Sequence, residues 1–241
     1  MAALELTCLA GLAGVHLVAG RLPFLDGIPR SRWLSLAGGI AIAYVFVHLL
    51  PDLAEADDAL AEAEVVPYIE RHAYVMALAG LAVFYALEWI ALRARPAGSP
   101  DAGEDAGGAR VLWLHAASYG AYNGLIGHLV ADGGDRGGAE LVLFSIAIGV
   151  HFVVADLGLR RHHRDRYDAV VRRVLAGALV VGFVTGLVTE LSEAALGVLL
   201  AFVAGAVILD TLKEEVPSER QSRLAPFLAG AAGYAALLLA V

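Results

Sequence analysis

The sequence predicts an all-α membrane protein that crosses the bilayer eight times. Three observations predict it. The 241 residues are 59% hydrophobic with a mean hydropathy of +0.70, above what a soluble domain carries. Eight apolar segments each come close to the roughly 20 residues a spanning helix needs. The basic residues gather on alternate connections between those segments.

The segments run about 3–21, 33–53, 73–92, 111–131, 141–160, 171–190, 192–212 and 224–241. The first, MAALELTCLAGLAGVHLVAG, has no Lys or Arg before Arg21 and reads as a span, since a signal peptide starts basic. The second ends in HLLPD and gives way to an acidic connection over 54–72. The third leads into 93–110, RARPAGSPDAGEDAGGAR, a flexible cytoplasmic linker rich in Pro, Gly and Ala. The fourth holds SYGAYNGLIGHLV, Ser118 to Val130, and the fifth holds HFVVAD, His151 to Asp156. A basic connection, Arg160 to Arg173, separates the fifth from the sixth, and a tight turn near Thr189 to Glu193 precedes the seventh. No connection is long enough to build a soluble core, so 1–241 forms one transmembrane domain.

The connections after spans 1, 3, 5 and 7 hold 15 of the 17 Lys and Arg residues. The positive-inside rule puts these connections in the cytoplasm and both termini outside. The net charge of -8 comes from acidic loops and argues against nucleic-acid binding. The one cysteine, Cys8, excludes a disulfide within the chain and argues against a thiolate cluster. Arg outnumbers Lys sixteen to one among abundant Ala and Gly, the bias of a GC-rich bacterial genome, so a bacterial cytoplasmic membrane is the expected location.

Gly39 precedes Pro51 by twelve residues in span 2, and Gly205 precedes Pro217 by twelve at span 7. Both stretches end in Pro with acidic neighbours, and the two spans cross in opposite directions. An inverted repeat of three plus three spans around a central pair gives this pattern.

Ionisable residues inside spans are rare and mark pathways or sites. Here they are His16, His48, His115, His128 and His151, with Asp52, Glu88, Asp156, Glu190, Glu193 and Asp210. The orientation puts His48, Asp52 and His128 toward the outside, Tyr119, Asn123 and His151 near the middle, and His115, Glu88, Asp156 and Asp210 toward the inside. Tyr119 and Asn123, like His48 and Asp52, are four apart and share a helix face. His151 and Asp156 diverge by about 140° and point to different partners. Plainer readings stand beside the functional one. Glu88, His115 and His128 near the interfaces suit snorkelling or pairing, Glu190 and Glu193 a solvated turn, and Tyr119, Tyr122 and Asn123 interhelical hydrogen bonds.

With these residues in view, the chain resembles the ZIP family of metal-ion transporters. VFVHLLPDLAEA (Val45 to Ala56) is similar to the family's second span, and AFVAGAVILDTLKEEVPSE to its seventh. The resemblance implies a three-plus-two-plus-three arrangement with an inverted repeat and a metal site on spans 4 and 5. The family's fourth span carries His-Asn, two residues, then Asp-Gly. Aligned on Gly124, Tyr119 stands for the His, Gly120 for the Asn and Asn123 for the Asp. The fifth-span pattern His-Glu, any residue, Pro-His-Glu keeps its ends as His151 and Asp156. Phe152, Val154 and Ala155 replace the inner Glu, Pro and His.

The family's binuclear site therefore cannot form, and a single weaker site at His151, Asn123 and Tyr119 remains. His48, Asp52 and His128 would serve as outer access, with Asp156 and His115 leading inward. The resemblance implies a transporter that moves a divalent cation (zinc, iron or manganese) into the cytoplasm, with no resident cofactor and no enzymatic activity. A ZIP-fold sensor, scaffold or partner that has lost transport is the alternative. Proton-coupled or organic-solute transport would use the same His and Asp residues. HFVVAD lacks the His-Glu-x-x-His of a metalloprotease. The lipid bilayer and the cation are the expected partners, and a homodimer is compatible with the architecture.

The topology is tested by reporter fusions. An enzyme active only outside the cytoplasm should work at either terminus and stay silent when inserted at 98–104.

Overall fold

The computed structural model describes residues 2–19, 32–62, 71–93, 106–131, 137–189, 191–215 and 223–240, nearly all of them helical. In order the helices are α1 (Ala2–Val18), α2 (Arg32–Tyr44), α3 (Leu50–Glu62), α4 (His72–Arg93), α5 (Ala106–Ala131), α6 (Gly138–Arg166), α7 (Arg172–Val188), α8 (Glu193–Glu215) and α9 (Leu224–Leu238). Two wide π-helical turns, Val45–Leu49 and Tyr167–Val171, join α2 to α3 and α6 to α7. Each of the eight segments read from the sequence falls on helix.

Among the described residues, four stretches are long and apolar enough to cross a membrane: Arg32–Asp58, His72–Ile90, Gly138–Arg160 and Ala194–Lys213. Ala2–Val18 and Leu224–Leu238 are shorter apolar helices. α5 is diluted by Ser118, Tyr119, Tyr122, Asn123 and His128, and α7 has 17 residues. Large apolar side chains cover the outside, among them Phe46, Leu78, Val181 and Val188, as suits an integral membrane protein. All three tryptophans, Trp33, Trp89 and Trp113, are exposed, and Arg93 stacks on Trp89.

The helices associate as four parallel pairs. Along α1 and α6, Leu4 meets Gly138, Leu12 and Val15 meet Gly149, and His16 meets Asp156. Along α2 and α9, the Arg223 N–H donates to Ser35 Oγ, and Gly39 faces Phe227 and Ala231. Along α4 and α8, Gly80 faces Phe202, Gly205 faces Ala77 and Leu81, and Glu88 reaches Lys213. Along α5 and α7, Gly120 faces Val174 and Ala178, and Gly127 faces Leu179 and Phe183. Lipid offers no hydrophobic drive between helices, so small residues that let backbones touch carry the packing. A Cβ added at Gly39, Gly80, Gly127, Gly182, Gly205 or Gly230 would run into partner backbone.

Two connections differ from the sequence reading. The second span, read as ending near 53, continues as helix to Glu62. Leu53, Ala56 and Leu60 form an apolar stripe on Ala73, Ala77 and Ala201, and the Asp57 carboxylate caps the Ala73 N–H at 2.8 Å. Pro51 brings no N–H, and the wide turn just before it, closed from Leu50 N–H to Val45 O, accommodates it within the helix. The connection Arg160 to Arg173 is helical too. Tyr122 meets Phe152, while Leu112 and Ala116 share a cluster with Leu159, Tyr167, Val171 and Leu175. So α6 runs antiparallel to α5 and α7, and the chain reverses through a helical turn. Arg160 clamps this turn by gripping both oxygens of Asp168 at 3.1 Å. The linker residues 94–105 lie outside the described residues.

Gly205→Ala should cost about 1–3 kcal/mol of stability, whereas Gly11→Ala, with open space around it, should be neutral or stabilising. Thermal unfolding of the two variants in detergent makes the comparison.

Candidate functional site

His16 of α1 is buried, 1% exposed. Its Nδ1 lies 2.9 and 3.0 Å from the two oxygens of Asp156 on α6, and its Nε2 lies 2.7 Å from Asn123 Oδ1 on α5. The Asn123 amide is oriented by its own N–H, which donates to the Tyr119 carbonyl at 2.8 Å. Its oxygen must therefore face the ring. Both ring nitrogens thus face oxygen atoms, one the Asp156 carboxylate and the other the Asn123 amide. Phe152 lies over the ring with centroids 4.4 Å apart.

A second group forms around Asp210 of α8. The Tyr119 hydroxyl donates to its carboxylate at 3.1 and 3.3 Å. His151 Nε2 stands 3.9 Å away, too far for a hydrogen bond but close enough for electrostatic attraction. The Tyr122 ring packs on His151 and Phe84. Toward the end assigned to the cytoplasm, Lys213 pairs with Glu88 at 3.0 Å. Phe84, Glu88, Ser118, Tyr119, Asp210 and Lys213 line a small pocket. Toward the opposite end, His48 Nε2 lies 3.7 Å from Asp52 and 4.0 Å from Glu140, all partly exposed.

The structure thus brings Tyr119 and His151 together, on Asp210. Asn123, one helical turn further along α5, turns to α1 and His16. Asp156 is fully engaged with His16 on a different face from His151, as the spacing of the two on one helix requires. His48 and Asp52 sit side by side. His128 is buried on the α5 face that meets α7, in a groove of about 350 Å³ with Gly124, Gly182 and Thr185, away from Asp210. His115 lies on α5, and its side chain is outside the described residues. Outside the spans, burial and the neighbouring Asp156 and Asp168 hold the Tyr167 phenol above its ordinary value, so it stays neutral.

His16 and Asp210, which the sequence marks as in-span ionisable residues but which fall outside the expected site and pathway, are the hubs. His16 is alone on its apolar helix face, so no spacing marks it, and Asp210 shares its face with Lys213 three residues on, at the end of the span. A lone ionisable residue deep in a span was itself the available signal. Among the described residues, no group of three or more His, Cys, Asp or Glu side chains stands ready to hold a metal ion. No protein-family model matches the chain, and no curated protein matches its sequence.

Removing one partner of a buried ion pair strands the other charge. Asp156→Ala should therefore cost about 3–5 kcal/mol, and Asn123→Ala about 1–3 kcal/mol. Denaturation in detergent, with the double variant included, should show that the two losses do not add.

Proposed function

We propose that this chain is a ZIP-like membrane transporter that carries a divalent metal cation of the zinc class into the cytoplasm. One observation carries the reading. Imidazole and carboxylate pairs recur along the bundle: His48 with Asp52 at one end, His151 with Asp210 inside, and Glu88 beyond them at the other end. Such nitrogen and oxygen donors suit zinc, iron and manganese, and a pair binds loosely enough to let go.

The helix pairing supports the family's architecture. Number the eight segments in order, then exchange 1–3 for 6–8 and 4 for 5. The pair of spans 1 and 5 becomes 6 and 4, and the pair of 2 and 8 becomes 7 and 3. Those are the four parallel pairs of the fold, as an inverted three-plus-two-plus-three repeat requires. The gathering of Lys and Arg on alternate connections supports the orientation with both termini outside, and the composition supports a bacterial cytoplasmic membrane.

A second reading is a ZIP-fold protein that no longer transports and serves as a sensor, scaffold or partner. It is favoured by the closed His16–Asp156–Asn123 contact, and by Phe152 and Ala155, which are buried where the family keeps ligands.

Uptake of zinc, iron, manganese and cobalt into reconstituted vesicles decides between them. The transport reading expects uptake above empty vesicles, reduced at least about tenfold by His151→Ala or Asp210→Asn. A smaller loss is expected for Asn123→Ala, which touches the ion only through its neighbours. Native protein that moves none of the four metals leaves the second reading standing.

A further inference from the structure

His128 is 8% exposed, and among the described residues no hydrogen bond, ion pair or ring contact reaches its side chain. A buried polar group without a partner is costly, the more so where lipid rather than water lies outside. The residue lines the groove of about 350 Å³ between α5 and α7, a volume at the small end of those that hold small molecules. The groove opens on the outside of the bundle, where Ala121, Val181 and Thr185 are exposed. It has a polar end and an apolar end. At the polar end Gly186 packs on the His128 backbone and brings Thr185 alongside. The Thr185 hydroxyl donates to the Gly182 carbonyl at 2.7 Å. Gly124 lies one turn back along α5, and Gly120 two turns back, with Ala178 of α7 facing both. From His128 the groove thus runs about 12 Å along α5, lined only by apolar and glycine residues once Thr185 is passed.

We propose that this groove holds one acyl chain of a membrane phospholipid, whose ester carbonyl accepts a hydrogen bond from the His128 ring. A phospholipid has the same order of parts as the groove: carbonyl oxygens near the membrane surface, then an apolar chain running toward the middle. The depth agrees, because His128 stands about one turn from the end of α5 at Ala131. The chemistry agrees as well. An imidazole has an N–H to give in either protonation state, and an ester carbonyl can only accept. The glycines and alanines along the floor leave a slot that a straight chain fills, and the bilayer supplies such chains at all times. The site stands on this geometry and does not depend on what the protein transports.

The test is native mass spectrometry of the full-length protein in detergent, titrated with dioleoyl phosphatidylglycerol and with its ether-linked analogue. The two lipids share head and chains, and the second lacks the ester carbonyls. The native chain should retain one ester lipid about tenfold more tightly than the ether lipid, the worth of one hydrogen bond. His128→Leu should bind both lipids alike at the weaker level. His128→Gln, which keeps an N–H donor, should restore the preference for the ester. Ala121→Phe, on the exposed side of α5, should fill the groove and displace the lipid with His128 intact, and it decides the matter should the leucine variant not fold. The ester lipid should also raise the Tm of the native chain more than the ether lipid does. The inference is overturned if the native chain binds the two lipids alike, if His128→Leu keeps the preference, or if Ala121→Phe retains the lipid. It is overturned too if the ions carry two chains that Ala121→Phe separates, which would make the groove an interface between copies.

Discussion

The contact of His16 with Asp156, closed by the Asn123 amide, holds the centre of the bundle together. Opposite charges taken out of water cost several kcal/mol each unless geometry and further hydrogen bonds compensate them. Here the ring spends both nitrogens, the carboxylate spends both oxygens on one nitrogen, and the amide is oriented by the Tyr119 carbonyl. Three helices are fixed in rotation as a result. With Asn123 aimed at α1, the glycine face of α5 meets α7 and the Tyr119 hydroxyl reaches α8. The orientation of the Asp210 group thus follows from a contact on another helix face.

Close backbone approach supplies the second constraint. Glycines meet partner backbone in the pairs α2 with α9, α4 with α8 and α5 with α7. The α4 and α8 contact at Gly80 and Gly205 is what lets Glu88 and Lys213 stand 3.0 Å apart farther along the same pair. Packing and charge are therefore one design, in which removing the space at the glycines would also part the ion pair.

Helix positions were legible because apolar length is a local property of the chain. The His48–Asp52 pair was legible because residues four apart share a face, and the divergence of His151 from Asp156 because residues five apart do not. The hubs were not legible. His16 finds Asp156 across 140 residues, and Tyr119 finds Asp210 across 91, and no spacing rule reaches so far. The helical extension over Leu53, Ala56 and Leu60 was masked by the acidic residues between them, which made an amphipathic helix look like a polar loop. The turn after α6 was masked the same way, its arginines suggesting a solvated connection where Arg160 in fact binds Asp168. A resemblance in local motifs placed attention on spans 4 and 5, whereas the polar contacts recruit α1 and α8 as well.

The parallel pairing bears on how the chain comes into being. None of the four parallel pairs joins consecutive segments, so a parallel partner is never the next segment to be made. α1 must await α6, and α2 must await α9, nearly two hundred residues later. Until then the glycine faces of the early helices lie against lipid, and His16 sits in an apolar helix without its carboxylate. Contacts so distant in sequence close slowly because the loop entropy is lost before the contact is gained. The first half of the protein is therefore inserted in an unfinished state, and it becomes a stable object only when the second half arrives to clasp it.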